Sequence, residues 1–159
     1  MGKKQNKSKW NALECALLIM LAVCLLMGAA ALGRQDRLQQ KMIRLHVVAN
    51  SDSQRDQALK LQVRDKVLAF TETTMRAAAD RQEANRTLRA ALPTIQTLAE
   101  ETLRENGCED RVETRLEPAE FPLKTYSGFR LPAGEYLALR VLIGEAEGQN
   151  WWCVVYPPL

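Results

Sequence analysis

From Cys15 to Leu32 the sequence reads "CALLIMLAVCLLMGAAAL", eighteen residues without a charge. As a helix rising about 1.5 Å per residue this run is roughly 27 Å long, close to the hydrocarbon thickness of a bilayer. A core helix of a soluble protein keeps one polar face, and this segment has none. Lys3, Lys4, Lys7 and Lys9 precede it, the arrangement that leaves an N-terminus in the cytoplasm and carries the following chain across the membrane. Two outcomes fit. Ala16 to Met27 is a good signal-peptide core with small residues at Ala29, Ala30 and Ala31 for cleavage. Equally, residues 1–32 make an uncleaved signal anchor. Residues 33–41 then read as a polar stalk and 42–159 as an exported domain.

The charge balance points the same way. Of 22 basic and 19 acidic residues, the leader holds four lysines and Glu14, which leaves eighteen of each sign for the remainder. A nucleic-acid binder carries its positive charge on the folded domain. This domain is neutral, so no nucleic-acid partner is expected. Cys15 and Cys24 sit in the apolar run and read as small hydrophobes. Cys108 and Cys153 lie beyond it, where export permits but does not require a disulfide. No Cys/His cluster supports a metal site.

Periodicity gives the domain its fold class. Ile43, Leu45 and Val47 alternate with Arg44 and His46, a strand pattern that stops at "NSDS". Ser51 with Gln54 fits a capping box, and a helix is expected from about Ser53 to Ala79 on Leu59, Val63, Val67 and Phe70. A second helix is expected from Arg81 to Glu105 on Ala84, Leu88, Leu92, Ile95, Ala99 and Leu103, kinked or briefly broken at Pro93 and stopped by Gly107. The period then becomes two: "DRVETRLE" and "EYLALRVLI" read as strands, "PAEFPLKTYSGFRLPAG" between them as a loop, "GEAEGQN" as a turn, and "WWCVVY" as a last strand. The order β-α-α-β-β-β implies an α+β domain with two long helices on one face of a small, mainly antiparallel sheet. Trp151 and Trp152 then point to opposite faces, the helix-facing one expected in the core.

The chemistry is sparse. His46 is the single histidine, in an alternating strand with no nucleophile motif such as GxSxG nearby. Its plain reading is a hydrogen-bonded strand residue. "GEAEG" matches no phosphate loop and precedes a strand. No catalytic, cofactor-binding or metal-binding residue is assigned, and no small-molecule substrate. One stretch resists this plainness: Phe121, Tyr126 and Phe129 accompany Lys124 and Arg130 in the expected loop, and exposed aromatics beside cations mark interfaces. Phe121, Lys124, Tyr126 and Phe129, together with Trp151 and Trp152, form a candidate partner-binding surface.

The strings "RLHVVANSDSQRDQALKLQVRDKVL", "FPLKTY" and "LPAGEYLALRVLIGEAEGQNWWCVVYPPL" together resemble the stage II sporulation protein R family, from about Ile43 to Leu159; between Met75 and Arg115 the likeness is one of helical character. The resemblance implies a signalling protein of endospore formers, made in the forespore and exported into the space between the two septal membranes. There it activates a membrane-bound aspartic protease, which processes a pro-sigma factor in the mother cell. Family members often continue past the Pro-Pro-Leu with a further cysteine, which leaves the pairing of Cys153 open. Two readings of other classes compete with this one: an exported hydrolase using His46 as base, and a passive membrane-anchored structural protein. The first needs a nucleophile or metal beside His46. The second needs no exposed aromatic patch.

Overall fold

The computed structural model describes residues 11–126 and 129–157; the side chains of residues 31, 32, 34–38 and 129 lie outside that description. Two compact units divide between Arg37 and Leu38. In the first, helix α1 begins at Ala12 and runs to Gln39, so the stretch expected as a stalk is helical almost to its end. Its stretch Ala12–Ala30 has a mean hydropathy of 2.4 and none of it is buried. The side chain of Glu14 accepts from the Asn11 N–H at 2.9 Å, which satisfies one of the free donors at the helix start.

The second unit is the α+β domain. Strand β1 (Ile43–Val48) is followed by helices α2 (Gln54–Met75) and α3 (Arg81–Glu105), then β2 (Val112–Phe121), the short β3 (Lys124–Tyr126) and β4 (Phe129–Leu131), β5 (Gly134–Ile143) and β6 (Asn150–Tyr156). Four strands form one sheet in the order β2-β5-β1-β6, and β3 pairs with β4 in a separate hairpin. The β1–β5 pair is parallel, while β2–β5 and β1–β6 are antiparallel.

One face of the sheet supplies Ile43, Leu45, Val47, Val112, Leu116, Leu139, Val141 and Ile143. The helices cover these with Leu59, Val63, Val67, Ala84, Leu88, Ile95, Ala99 and Leu103. Each of the larger aliphatic side chains contributes about 1.5–3 kcal/mol by leaving water, and Leu88→Ala in the middle of α3 would cost about 2–5 kcal/mol. Helix α3 passes through Pro93 without a break. The proline removes the donor that Arg89 would meet, but the packed turns on either side, anchored by Leu88 and Ile95, hold the helix together. Gly107 at φ +67° ends it, as expected of a left-handed cap.

Helix α2 stops at Met75, four residues short of the expected end. The chain there starts α3 instead: Asp80 accepts from the Glu83 N–H at 2.8 Å, and Glu83 accepts from the Ala79 N–H at 2.9 Å, a reciprocal cap. The cap of α2 is Ser53, not Ser51. The larger correction concerns the expected loop after Glu117. Strand β2 continues through Pro118 to Phe121, and β3 and β4 follow as a hairpin. Proline is tolerated because β2 is an edge strand, where a missing N–H breaks no ladder.

Candidate functional site

Arg44, His46 and Val48 point to the face of the sheet opposite the helices, as do Tyr136, Ala138 and Arg140 from β5. Arg44 is fully buried there. An unpaired buried guanidinium is costly, and aromatic faces offset part of that cost here. Arg44 Cζ lies 4.0 Å from the Phe121 ring centroid and 4.9 Å from that of Tyr136. Such contacts are worth roughly 0.5–2 kcal/mol each when desolvated. Nη2 donates to the Tyr126 hydroxyl at 3.0 Å, and that hydroxyl donates to the Trp152 carbonyl at 3.4 Å. These contacts tie the hairpin strand β3 to the sheet.

His46 lies two residues along the same strand face. Its Nε2 meets Asn150 Oδ1 at 2.6 Å, so the amide oxygen accepts and Nε2 carries the proton. Its ring stacks on Trp152, with centroids 5.9 Å apart and planes 13° from parallel, and meets Phe121 edge-on at 6.0 Å. Burial holds the imidazole below the ordinary histidine pKa, with the Asn150 hydrogen bond acting against it and the nearby Arg140 charge adding to it. Lys124 Nζ lies 4.9 Å from the Trp152 ring centroid on this same face. Beside them, Arg140 donates to Glu117 at 2.7 Å, and Arg115 makes a two-pronged pair with Glu113 at 2.6 and 2.8 Å.

The six residues singled out in the sequence divide accordingly. Lys124, Tyr126 and Trp152 come together around His46 and Arg44. Phe121 joins them but is 2 % exposed; it is a floor of the patch rather than part of its surface, because it closes a strand and packs on Arg44 and Tyr136. The side chain of Phe129 lies outside the described residues. Trp151 does lie on the opposite face from Trp152, paired with Val47, but it is not core. It is 38 % exposed at the rim of α2, with Arg64 Cζ 4.2 Å from its ring centroid. Arg44 and Arg140 were not anticipated as members of this patch; the period-two alternation that placed His46 on this face places Arg44 there as well.

The "NSDS" turn is structural. Asp56 Oδ2 accepts from Ser51 Oγ at 2.6 Å and Asn50 Nδ2 at 3.0 Å, and these bonds hold its carboxyl below the usual range. Asn50 Oδ1 accepts from the Glu145 N–H at 3.0 Å, Asp52 from the Gln149 N–H at 2.8 Å, and the Ala49 carbonyl from the Gly148 N–H at 2.9 Å. The turn between β5 and β6 is thereby clamped to the start of α2. A Cβ at Gly148 would collide with the Ser51 carbonyl, so the close approach requires glycine.

Cys108 and Cys153 are unpaired; the first is buried in the core and the second packs against it. Among the described residues no group of three or more His, Cys, Asp or Glu side chains is placed to hold a metal ion. A cleft of about 370 Å³ is lined by Lys41, Met42, Asp80, Arg81, Tyr156 and Pro157, none of them part of the patch around His46.

Fold and leader together define a small α+β domain preceded by an apolar helix of the length of a signal sequence or membrane anchor. The chain belongs to the stage II sporulation protein R family, whose profile matches residues 39–159. It is 38 % identical over 122 residues to the stage II sporulation protein R of Bacillus subtilis (strain 168), a stretch covering 77 % of this chain and 54 % of the relative. The chain thus spans about half the length of that relative. No solved structure matches it. Membership assigns the chain a role in sporulation.

Proposed function

We propose that this protein is an exported signal that activates a membrane-bound aspartic protease in the mother cell, which in turn processes a pro-sigma factor. It is carried across the forespore membrane by the apolar helix and acts in the intermembrane space as a ligand rather than as an enzyme. The observation that carries the reading is the family match across the whole α+β domain. The surroundings of His46 support a ligand over a hydrolase: its Nε2 is engaged by the Asn150 amide and its ring packs on Phe121 and Trp152, whereas a general base holds a nucleophile at hydrogen-bond distance. The partly exposed cluster of Trp152, Lys124 and Tyr126 supports a binding role over a passive one, since tryptophan and tyrosine dominate interface hot spots.

The test is co-production of the full chain with the protease and the sigma-factor precursor. Processing is expected when all three are present and not when this chain is left out. Processing that proceeds equally without it would overturn the proposal. His46→Ala is expected to retain signalling at neutral pH. A loss above about a hundredfold in a folded variant would favour the hydrolase.

A further inference from the structure

Four side-chain nitrogens are buried without a hydrogen-bond partner among the described residues: Arg44 Nε, Arg44 Nη1, His46 Nδ1 and Arg140 Nε. All four belong to one face of two adjacent strands. Buried polar atoms are nearly always partnered in native proteins, so this concentration calls for a cause. The register sharpens it. Arg140 lies directly opposite His46 on one side and opposite Arg115 on the other, placing three side chains of positive or potentially positive charge in one row. Like charges directly opposite each other weaken a sheet. Glu117 and Glu113 are each engaged by an arginine of the row. Neither Arg44 nor Lys124 has a carboxylate within 4.0 Å among the described residues. Three of the four nitrogens are arginine donors, so the face is rich in donors and short of carboxylate acceptors.

We propose that this face, centred on Arg140 and His46 with Arg44 behind them, receives a carboxylate side chain from an acidic segment of a partner protein. The inference rests on the reading of the chain as a ligand and names the chemistry of what that ligand binds. Arginine has only donors, and charge-assisted bonds from guanidinium to carboxylate are the strong ones. Arg140, whose side chain is 27 % exposed, is the accessible member. Fully buried Arg44 adds a fixed positive charge two residues from His46. His46 gives its Nε2 proton to Asn150, so Nδ1 is a lone pair in the neutral ring; it takes one proton from solvent and donates it to the arriving carboxylate. Binding therefore tightens as pH falls. The charged and titratable groups on the face of His46 are Arg44 on its own strand, Arg140 and Tyr136 on β5, Glu113, Arg115 and Glu117 on β2, and Lys124 and Tyr126 on β3. Strand β6 presents uncharged Asn150 and Trp152.

The test is nuclear magnetic resonance on the full, nitrogen-labelled chain in phosphatidylcholine nanodiscs, titrated with capped hexaglutamate. The arginine Nε–Hε signals report the unpartnered donors directly, apart from any contact of the peptide with the lysine-rich leader. Those of Arg140 and Arg44 are expected to move with hexaglutamate and stay still with capped hexalysine. Arg140→Gln is expected to weaken binding about tenfold, the loss of one charge-assisted interaction. Glu117→Gln removes the competing carboxylate and is expected to tighten binding about threefold, a gain that a merely structural role cannot give. His46→Gln is expected to abolish the tightening between about pH 7.5 and about pH 5.5. Signals that ignore the peptide, respond equally to hexalysine, or move only when phosphatidylglycerol replaces phosphatidylcholine would overturn the inference, as would Glu117→Gln binding no better than wild type. If the peptide fails to bind while precursor processing is intact, this inference falls and the signalling function stands. If the peptide binds and processing never depends on the chain, the reverse holds.

Discussion

Trp152 lies parallel to His46, 5.9 Å between ring centroids, with the Lys124 ammonium 4.9 Å from the same indole. The indole thus joins the sheet to the hairpin strand β3 while remaining only partly buried. Trp152→Ala is expected to lower stability by about 1–3 kcal/mol, from lost aromatic and cation–π contacts, and to reduce precursor processing at least about tenfold, as for an interface anchor. Trp151→Ala removes a rim contact to Arg64 and is expected to cost about 1 kcal/mol with processing unchanged. Thermal melting and processing of both variants check this pair. Normal processing by folded Trp152→Ala would remove the patch from the signalling surface.

A second prediction follows from the burial of His46. Unfolded, the ring titrates near 6.5, and folding lowers that value. Folding therefore favours the neutral ring. This contribution is present in full above about pH 6.5 and is lost as pH falls through the window between the unfolded and folded values. The melting temperature is expected to fall between about pH 7 and about pH 5, and His46→Gln to flatten that part of the profile. An unchanged slope in the variant would place the acid sensitivity elsewhere.

The turn around Asp56 predicts a different pH response. Its carboxyl is held below the unfolded value of 3.8, first by the Ser51 hydroxyl and then by Asn50. The stability it supplies is present above about pH 3.8 and disappears as pH falls through the folded value. Ser53→Ala is expected to cost about 1 kcal/mol through the lost cap. Asp56→Ala is expected to melt lower than Ser53→Ala, because it releases Asn50 and Ser51 together. Gly148→Ala is expected to destabilise by forcing the β5–β6 turn off the Ser51 carbonyl. Denaturant melts of the three variants give the order; a Gly148→Ala protein as stable as wild type would contradict the clamp.

Hydrophobic spacing made both helices and the strands of the main sheet legible, because one stripe of each had to meet the core. Leu59, Val63 and Val67 recur at four, and Leu137, Leu139 and Val141 at two, so element type followed from the period. The stretch after Glu117 was not legible as strand. Pro118 and Pro122 argue against a ladder, and nothing local reveals that β2 is an edge where proline costs little. The expectation that the helix-facing tryptophan is core failed for a related reason. Alternation assigns a face but not how far an element covers that face, and α2 passes Trp151 at its rim, with Arg64 over a ring that stays partly exposed. Alternation put His46 and Arg44 on one face and the two tryptophans on opposite faces, but which tryptophan joins His46 depended on the β1–β6 register. The stacking of His46 on Trp152, and the burial of Arg44 between aromatic rings, depended on β1 lying between β5 and β6, which no local pattern states.

The leader supplies the last prediction. The segment Ala12–Ala30 has a mean hydropathy of 2.4 and no buried residue, and Lys3 to Lys9 stand on its N-terminal side. Positive charge there keeps that end in the cytoplasm, so residues beyond the helix should emerge on the other side. Alkaline phosphatase, active only outside the cytoplasm, is expected to be active when fused after Gln40. Leu21→Arg puts a charge near the centre of the span and is expected to cost about 2.5–3.5 kcal/mol of insertion free energy, which lowers the exported fraction of the fusion. Moving the lysines to the far side, by exchanging Lys3, Lys4, Lys7 and Lys9 with glutamines and placing four lysines after Gly33, is expected to reverse the orientation and silence the enzyme. Activity that survives this exchange undiminished would mean that leader charge does not set the orientation.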